Sequence, residues 1–521
     1  MATASNLINQ NVRISSQATT SPIFRIKGQR SRWFYPDERL TPEHAEIMRN
    51  IDISERGVAH SRYGYELYSS SQVENNPVGL HEVKFRSGDT RYVVVTPTKI
   101  YNDDGTTRSN ITGSDLTGDE DDRVQFTFVS NADKLLINNS KDQVRTWTGS
   151  TSSNTTDLTG MPFTKCASIA MHRNTLIASG ITEGGVFKGS QLVWCQSNRQ
   201  THEIDITSWQ GNHRWNIGFG DIIRSISNWN NFYSFTNLGV HVGYLHTGDI
   251  GMMSFVDSQE IRGFTPVAKH SIVARPEFIC GIAKEGIFAI MPDNSYQIMN
   301  SDDTKDFFAL NQSRLQHAQA FVRERDRQVR FMVKHASSGV GFDQVLVWDW
   351  ETNDTWLDIP SNTMNTASTF TNSDGVIQDW FGGADGALYK GNSSAINDDN
   401  GTNYTWRIKM SPNDLGLPGR SKHILNVTTL YRKRAGQQVV TFRANINEGR
   451  DSFYQEEVRL GTGITWDSGL NWNAGLKWPG AGALRADVFV NRVCETIAPE
   501  WESSSPSSIE GYFVEYIPLD A

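Results

Sequence analysis

The chain is poor in cysteine, with four residues (Cys166, Cys195, Cys280 and Cys494) in 521. They lie far apart and form no CxxC pair, so neither a zinc ribbon nor a disulfide framework is indicated, and synthesis in a reducing cytoplasm fits best. No apolar run approaches the roughly 20 residues that span a bilayer. The opening Met1-Ala2-Thr3-Ala4-Ser5-Asn6-Leu7 runs on into Gln, Asn, Ser and Thr without a basic stretch leading into an apolar one. A secretory signal is therefore not expected, and the Asn-x-Ser/Thr triplets at Asn110 and Asn138 read as polar loops.

Basic residues are scarce as well. Lys and Arg number 49 against 58 Asp and Glu, a net charge of −9. That balance argues against tight nucleic-acid binding, which needs a basic face to neutralise phosphates, although DNA passing along an acidic wall stays compatible with it.

The familiar enzyme motifs are missing: there is no P-loop, no GxSxG elbow and no HExxH. His241 and His246 are an odd number of residues apart and fall on opposite faces of a strand, which disfavours a shared metal. Acidic clusters occur at Asp119-Glu120-Asp121-Asp122, Asp302-Asp303 and Asn397-Asp398-Asp399-Asn400-Gly401. The last has the oxygen ligands and glycine of a calcium loop but no later bidentate Glu, so a solvated hairpin turn is the better reading. No metal, cofactor or catalytic residue is expected. Thr465 to Trp472 nearly matches the Asp-box of sialidase propellers, yet it occurs once, outside the repeats described next.

What the chain does have is glycine and aromatics: 43 Gly, 15 Trp and 15 Tyr. These favour turns and aromatic-rich strands over long helices, hence an all-β class. From about residue 88 one pattern recurs: an apolar strand, a short polar turn, then another strand ending in an aromatic. The closing aromatics are Tyr101, Trp147, Trp194, Tyr244, Tyr296, Trp348 and Tyr389, separated by 46, 47, 50, 52, 52 and 41 residues. A period of about 40–50 residues holding three or four short strands is the mark of a β-propeller, here of six to seven blades. Hairpins in stacked β-sandwiches are the competing reading, but they give no reason for a regular aromatic spacing.

The expected organisation is an extended docking segment over 1–80, the propeller over 81–400 and a C-terminal β-sandwich-like domain over 401–521. Thr41, Pro42 and Glu43 are suited to start a short helix. Gly57 to Tyr68 reads as a strand leading into the main domain. In the last region Arg432-Lys433-Arg434 forms the one compact basic run and sits at a hairpin tip, where it could meet an acidic neighbour or DNA phosphates. Trp466, Trp472 and Trp478 are spaced by six, so in an extended strand all three rings face one way. They read first as packing residues. Arg432, Lys433, Arg434, Trp466, Trp472 and Trp478 are the candidate interaction residues.

Several stretches resemble the propeller units of tail nozzle or hub proteins of short-tailed bacteriophages. They are His172 to Gly180 followed by Leu192-Val193-Trp194-Cys195-Gln196-Ser197, and Phe381 to Tyr389 followed by Asn397 to Gly401. Asn50-Ile51-Asp52 leading to Arg62-Tyr63-Gly64 and the aromatic final strand Gly511 to Leu519 extend the likeness over most of the chain. The resemblance implies a structural virion protein without enzymatic activity. It would form a homo-oligomeric ring, a hexamer, at the distal tail, bound to a tail adaptor protein and carrying fibres or spikes. Double-stranded DNA would pass transiently along its axis. The alternatives are a glycan-binding receptor-recognition propeller, which would need exposed Trp466, Trp472 and Trp478, and a propeller glycoside hydrolase, which would need convergent carboxylates.

Overall fold

The computed structural model describes residues 18–29, 43–54, 58–69, 73–103, 107–197, 204–246, 254–299, 304–335, 339, 341–432, 438–447, 454–460 and 484–519. Two compact units are built from interleaved stretches of sequence. One is Tyr63–Asn353 with Ile359–Thr402; the other is Met1–Arg62, Asp354–Asp358 and Asn403–Ala521. The chain is thus grouped differently from consecutive 1–80, 81–400 and 401–521 segments, because each unit recruits strands from distant sequence.

The first unit is a seven-bladed β-propeller. The innermost strands of blades 1 to 7 are Gly79–Lys84, Gln125–Val129, Lys165–His172, Ile222–Asn228, Val273–Ala274, Gln319–Arg323 and Met364–Thr371. Each pairs antiparallel with the next strand of its own blade, and each packs against the innermost strands of both neighbouring blades. The last touches the first, so the ring is closed. Blade 7 takes its outermost strand from far upstream, as Tyr65–Ser69 pairs with Leu388–Gly391. The expected lead-in strand is therefore the clasp that ties the two ends of the ring together.

Short polar bonds stitch the inner strands at five of the seven seams. Ile169 N–H donates to Gln125 Oε1 at 3.2 Å between blades 2 and 3, and Ser225 N–H donates to Ser168 Oγ at 3.0 Å between blades 3 and 4. Further round, Asn228 donates to Arg275 O at 2.8 Å, Gln319 to Ala367 O at 2.9 Å and Asn365 to Pro77 O at 3.0 Å. The inner strands face both each other and the axis, so polar side chains there satisfy backbone groups that would otherwise be stranded.

Six of the seven closing aromatics fall on the third strand of a blade, while Tyr296 lies on the fourth strand of blade 5 and is exposed. Trp147, Trp194, Trp348 and Tyr389 are buried, wedged into the apolar layers between sheets. The regular spacing thus records one structural position per blade.

The second unit is a β-sandwich. One sheet runs Ile51–Ile53, Ala59–Ser61, Ser508–Pro518, Lys422–Arg432, Leu484–Cys494, with Thr19–Thr20 added to Ser508–Pro518. The facing sheet includes Lys27–Gln29, His44–Arg49, Trp406–Met410, Ile497–Ser503, Gln438–Ile446 and Tyr454–Leu460. Strict alternation of buried and outward residues over Gln438–Ile446 gives one apolar face. Trp501 is the central core ring. It packs 5.9 Å from Phe442 in its own sheet and 5.4 Å from Tyr512 opposite, and its indole N–H donates to Thr429 at 3.1 Å. The helix expected near Thr41 gives way to the strand His44–Arg49 from His44 onward. The capping pattern is local, whereas the apolar side chains of Ala45 and Met48 are claimed by the sandwich core.

Candidate functional site

Of the candidate interaction residues, Arg432 is exposed at the end of its strand and pairs with Glu510 at 3.1 Å. Lys433, Arg434, Trp466, Trp472 and Trp478, together with the Asp-box-like stretch and Asp302-Asp303, lie outside the described residues.

Beside Arg432, the Leu484–Cys494 strand forms one edge of its sheet and, among the described residues, hydrogen-bonds to a single neighbour, Lys422–Arg432. Its outward side chains include Phe489, 70% exposed, and Val493, 55% exposed. Arg485 lies 5.4 Å over the Phe513 ring and donates to Asp487 at 2.8 Å. Asn426 donates to Glu515 at 2.8 Å on the same sheet. The outcome is a pair of exposed apolar side chains, with exposed Asn491 and Arg492 between them, on a long strand whose outer edge is unpaired among the described residues. Sequence periodicity alone could not show it, because Val488 and Val490 alternate with Phe489 and all three read as core formers.

The other expectations find structural explanations. Asp399 is buried and accepts hydrogen bonds from the N–H and Oγ of Ser361, both at 2.9 Å, while Asp398 Oδ1 accepts from Gly401 N–H at 2.7 Å. These carboxylates hold the turn leading into the sandwich. No group of three or more His, Cys, Asp or Glu suited to a metal occurs among the described residues. His241 is buried 5.0 Å from the ring of Trp215. All four cysteines are buried, and burial pushes the Cys166 and Cys195 thiols up to about 12, which leaves them unreactive.

At the axis of the propeller, the end where the inner strands begin is bridged. Lys269 Nζ, before blade 5, reaches Ser140 Oγ of blade 2 at 3.0 Å. Arg314, before blade 6, clasps Asp121, before blade 2, with one bond at 2.9 Å. Arg123 is buried, donates to Asn365 Oδ1 of blade 7 at 3.2 Å and lies 5.0 Å over the Phe342 ring. Because these contacts join blades that are not neighbours, this end of the axis is crossed by side chains.

No protein-family model matches the chain, and no curated protein matches it. Among solved structures it is similar to the extracellular domain of the one component system BT4673 from B. thetaiotaomicron, at 10% identity and a TM-score of 0.41, covering 86% of this chain and 62% of that one. It is also similar to BBS1N in a complex with ARL6DN, at 10% identity and a TM-score of 0.36, covering 63% of this chain and 97% of that one. The N-terminal domain of Nup159 is a third, at 11% identity and a TM-score of 0.30, with coverages of 72% and 97%. The propeller assignment rests on the strand order and ring closure described above, and these likenesses add no functional argument. Among the described residues no helix is long and apolar enough to cross a membrane.

Proposed function

We propose that the chain is a structural subunit of a short-tailed phage tail, a nozzle or hub protein without enzymatic activity. It assembles into a homo-oligomeric ring, a hexamer, and resides in the virion tail. On this reading it docks a tail adaptor protein on one side and fibres or spikes on another, while double-stranded DNA passes transiently through the ring of subunits.

The observation that carries the proposal is the outward strip of Leu484–Cys494, with Phe489 and Val493 exposed on an edge strand. Exposed apolar side chains on a strand whose edge is unpaired among the described residues are what a subunit interface uses, and a lone molecule is ordinarily protected against them. The propeller clasp supports a load-carrying spacer, since separating the blades requires breaking the Tyr65–Ser69 pairing first. The crossed axial end makes the propeller axis an unsuitable duplex passage, so the conduit belongs to the assembled ring. The net charge of −9 is compatible with a wall that repels phosphates.

Negative-stain imaging of the purified protein, alone and mixed with lysate of phage-infected cells, tests this reading. Six-fold rings, or tail tips that incorporate the protein, are expected. A persistent monomer that never enters particles would overturn it.

A further inference from the structure

The crossed end of the propeller axis gathers more positive charge than it neutralises. Arg224 stands on the inner strand of blade 4, and its guanidinium has no hydrogen bond or ion pair with any described residue; its Nε is sealed from solvent without a partner. Lys269 makes one hydrogen bond, to the uncharged Ser140 hydroxyl. Arg123 spends its terminal nitrogens on Glu120 O and Asn365, leaving Nε buried and unpartnered, and His270 Nε2 is likewise buried without a partner.

These groups sense one another. Burial first, and then the charges of Lys269, Arg224 and Arg123, hold His270 well below its ordinary value, and Arg224 adds to the lowering of Lys269 by burial. Burial lowers Lys269 to about 8 and holds Arg123 and Arg224 at about 10. Four carboxylates stand in the stretch before Arg123: Asp119 accepts the Asp121 N–H at 2.9 Å and Glu120 accepts from Asn76 at 2.8 Å, and both support the charge of Arg123. Asp121 is clasped by Arg314 and faces His317 at 3.8 Å, whereas Asp122 lies 3.4 Å from Lys141 and accepts the Asp119 N–H at 2.9 Å.

Arg224 and Lys269 are partly exposed while Arg123 is buried, and cations crowded together with few hydrogen bonds are relieved by a counter-charge that can accept several at once. We propose that this axial end is a binding site for inorganic phosphate, held by Arg224 and Lys269 with Arg123 adding its charge. A tetrahedral dianion matches the forked donors of arginine and the point charge of lysine. The site lies wholly within the propeller and is independent of any assembly on the sandwich.

Isothermal titration of the full-length protein with inorganic phosphate, at constant ionic strength set with chloride, tests the assignment. One phosphate per chain is expected, with affinity weakened roughly tenfold or more in Arg224→Met and Lys269→Met and unchanged in Lys188→Gln, which removes a cation on the flank of blade 3. Thermal unfolding without phosphate supplies the second reading. A phosphate-site role predicts that both methionine variants melt at or above the wild-type temperature, because an unpaired cation has been replaced by an apolar side chain of similar length, and that phosphate no longer raises their melting point. Absence of binding to the wild type, equal affinity in all variants, or melting of both methionine variants well below the wild type would overturn the proposal.

Discussion

Arg323 and Asp379 form a buried ion pair across the seam between blades 6 and 7, with Arg323 Nε donating to Asp379 Oδ2 at 2.8 Å and to Oδ1 at 3.0 Å. Arg323 ends the inner strand of blade 6, and Asp379 sits on the second strand of blade 7, the blade closed by the upstream clasp. Removing one partner strands the other charge in a place water does not reach. Asp379→Ala is expected to destabilise the propeller by about 3–5 kcal/mol, while the double change Arg323→Met, Asp379→Leu recovers most of the loss. Urea unfolding of the three variants checks both statements.

The clasp depends on a single missing methyl group. A Cβ built on Gly64 would stand 1.7 Å from Asp398 O, and Gly64 N–H donates to Ile396 O at 3.0 Å. The obstruction is backbone on both sides, so neither chain can yield cheaply. Gly64→Ala should cost the upper end of the usual overpacking range of about 1–3 kcal/mol. It should also open Tyr65–Ser69 to limited proteolysis before the rest of the propeller unfolds, seen as early cleavage followed by mass spectrometry.

Acid should weaken the propeller well before its carboxylates titrate. His172 is fully buried between blades 3 and 4, bonded through Nδ1 to Ser227 Oγ at 2.7 Å, and burial followed by the charge of Arg173 lowers it from 6.5 to about 4. The unfolded chain therefore takes up this proton first as pH falls. The stabilisation is intact above pH 6.5 and is lost progressively down to pH 4, on the order of 3 kcal/mol in all. His81, His213, His241, His270 and His317 are lowered by burial in the same sense. Chemical denaturation of wild type and His172→Gln between pH 7 and pH 4 should give curves that converge as pH drops.

The propeller was readable from sequence because its signal is repeated: the third strand of each blade carries an aromatic, and the turns carry Asn, Asp and Gly. Where a strand is short or borrowed the reading failed. The inner strand of blade 5 is only Val273–Ala274, so Ile279–Ala283 passes for the first strand and Tyr296 for the closing aromatic of the third. The role of Tyr65–Ser69 depends on a partner more than 300 residues away, which no local pattern encodes. The axial cations were invisible for the same reason. Arg123, Arg224 and Lys269 lie on separate blades and become neighbours only when the ring closes. Apolar alternation in the sandwich revealed strands but not which of them was left at an edge.

The exposed strip beside Arg432 separates assembly from folding. Phe489 is 70% exposed, so replacing it removes little buried area within the subunit. Phe489→Asp should leave the melting temperature within about 2 °C of wild type, since surface substitutions usually change stability by less than about 0.5 kcal/mol. At an interface the same change buries an unpaired carboxylate where an aromatic ring had packed, which ordinarily costs several kcal/mol per contact, multiplied around a symmetric ring. Under the proposed ring assembly, sedimentation velocity should show the wild type as a ring and Phe489→Asp as a monomer, with Val493→Asp behaving alike and Val186→Asp, an exposed apolar residue on blade 3, retaining the ring. If Phe489→Asp assembles as well as wild type, the proposed ring is held through another surface.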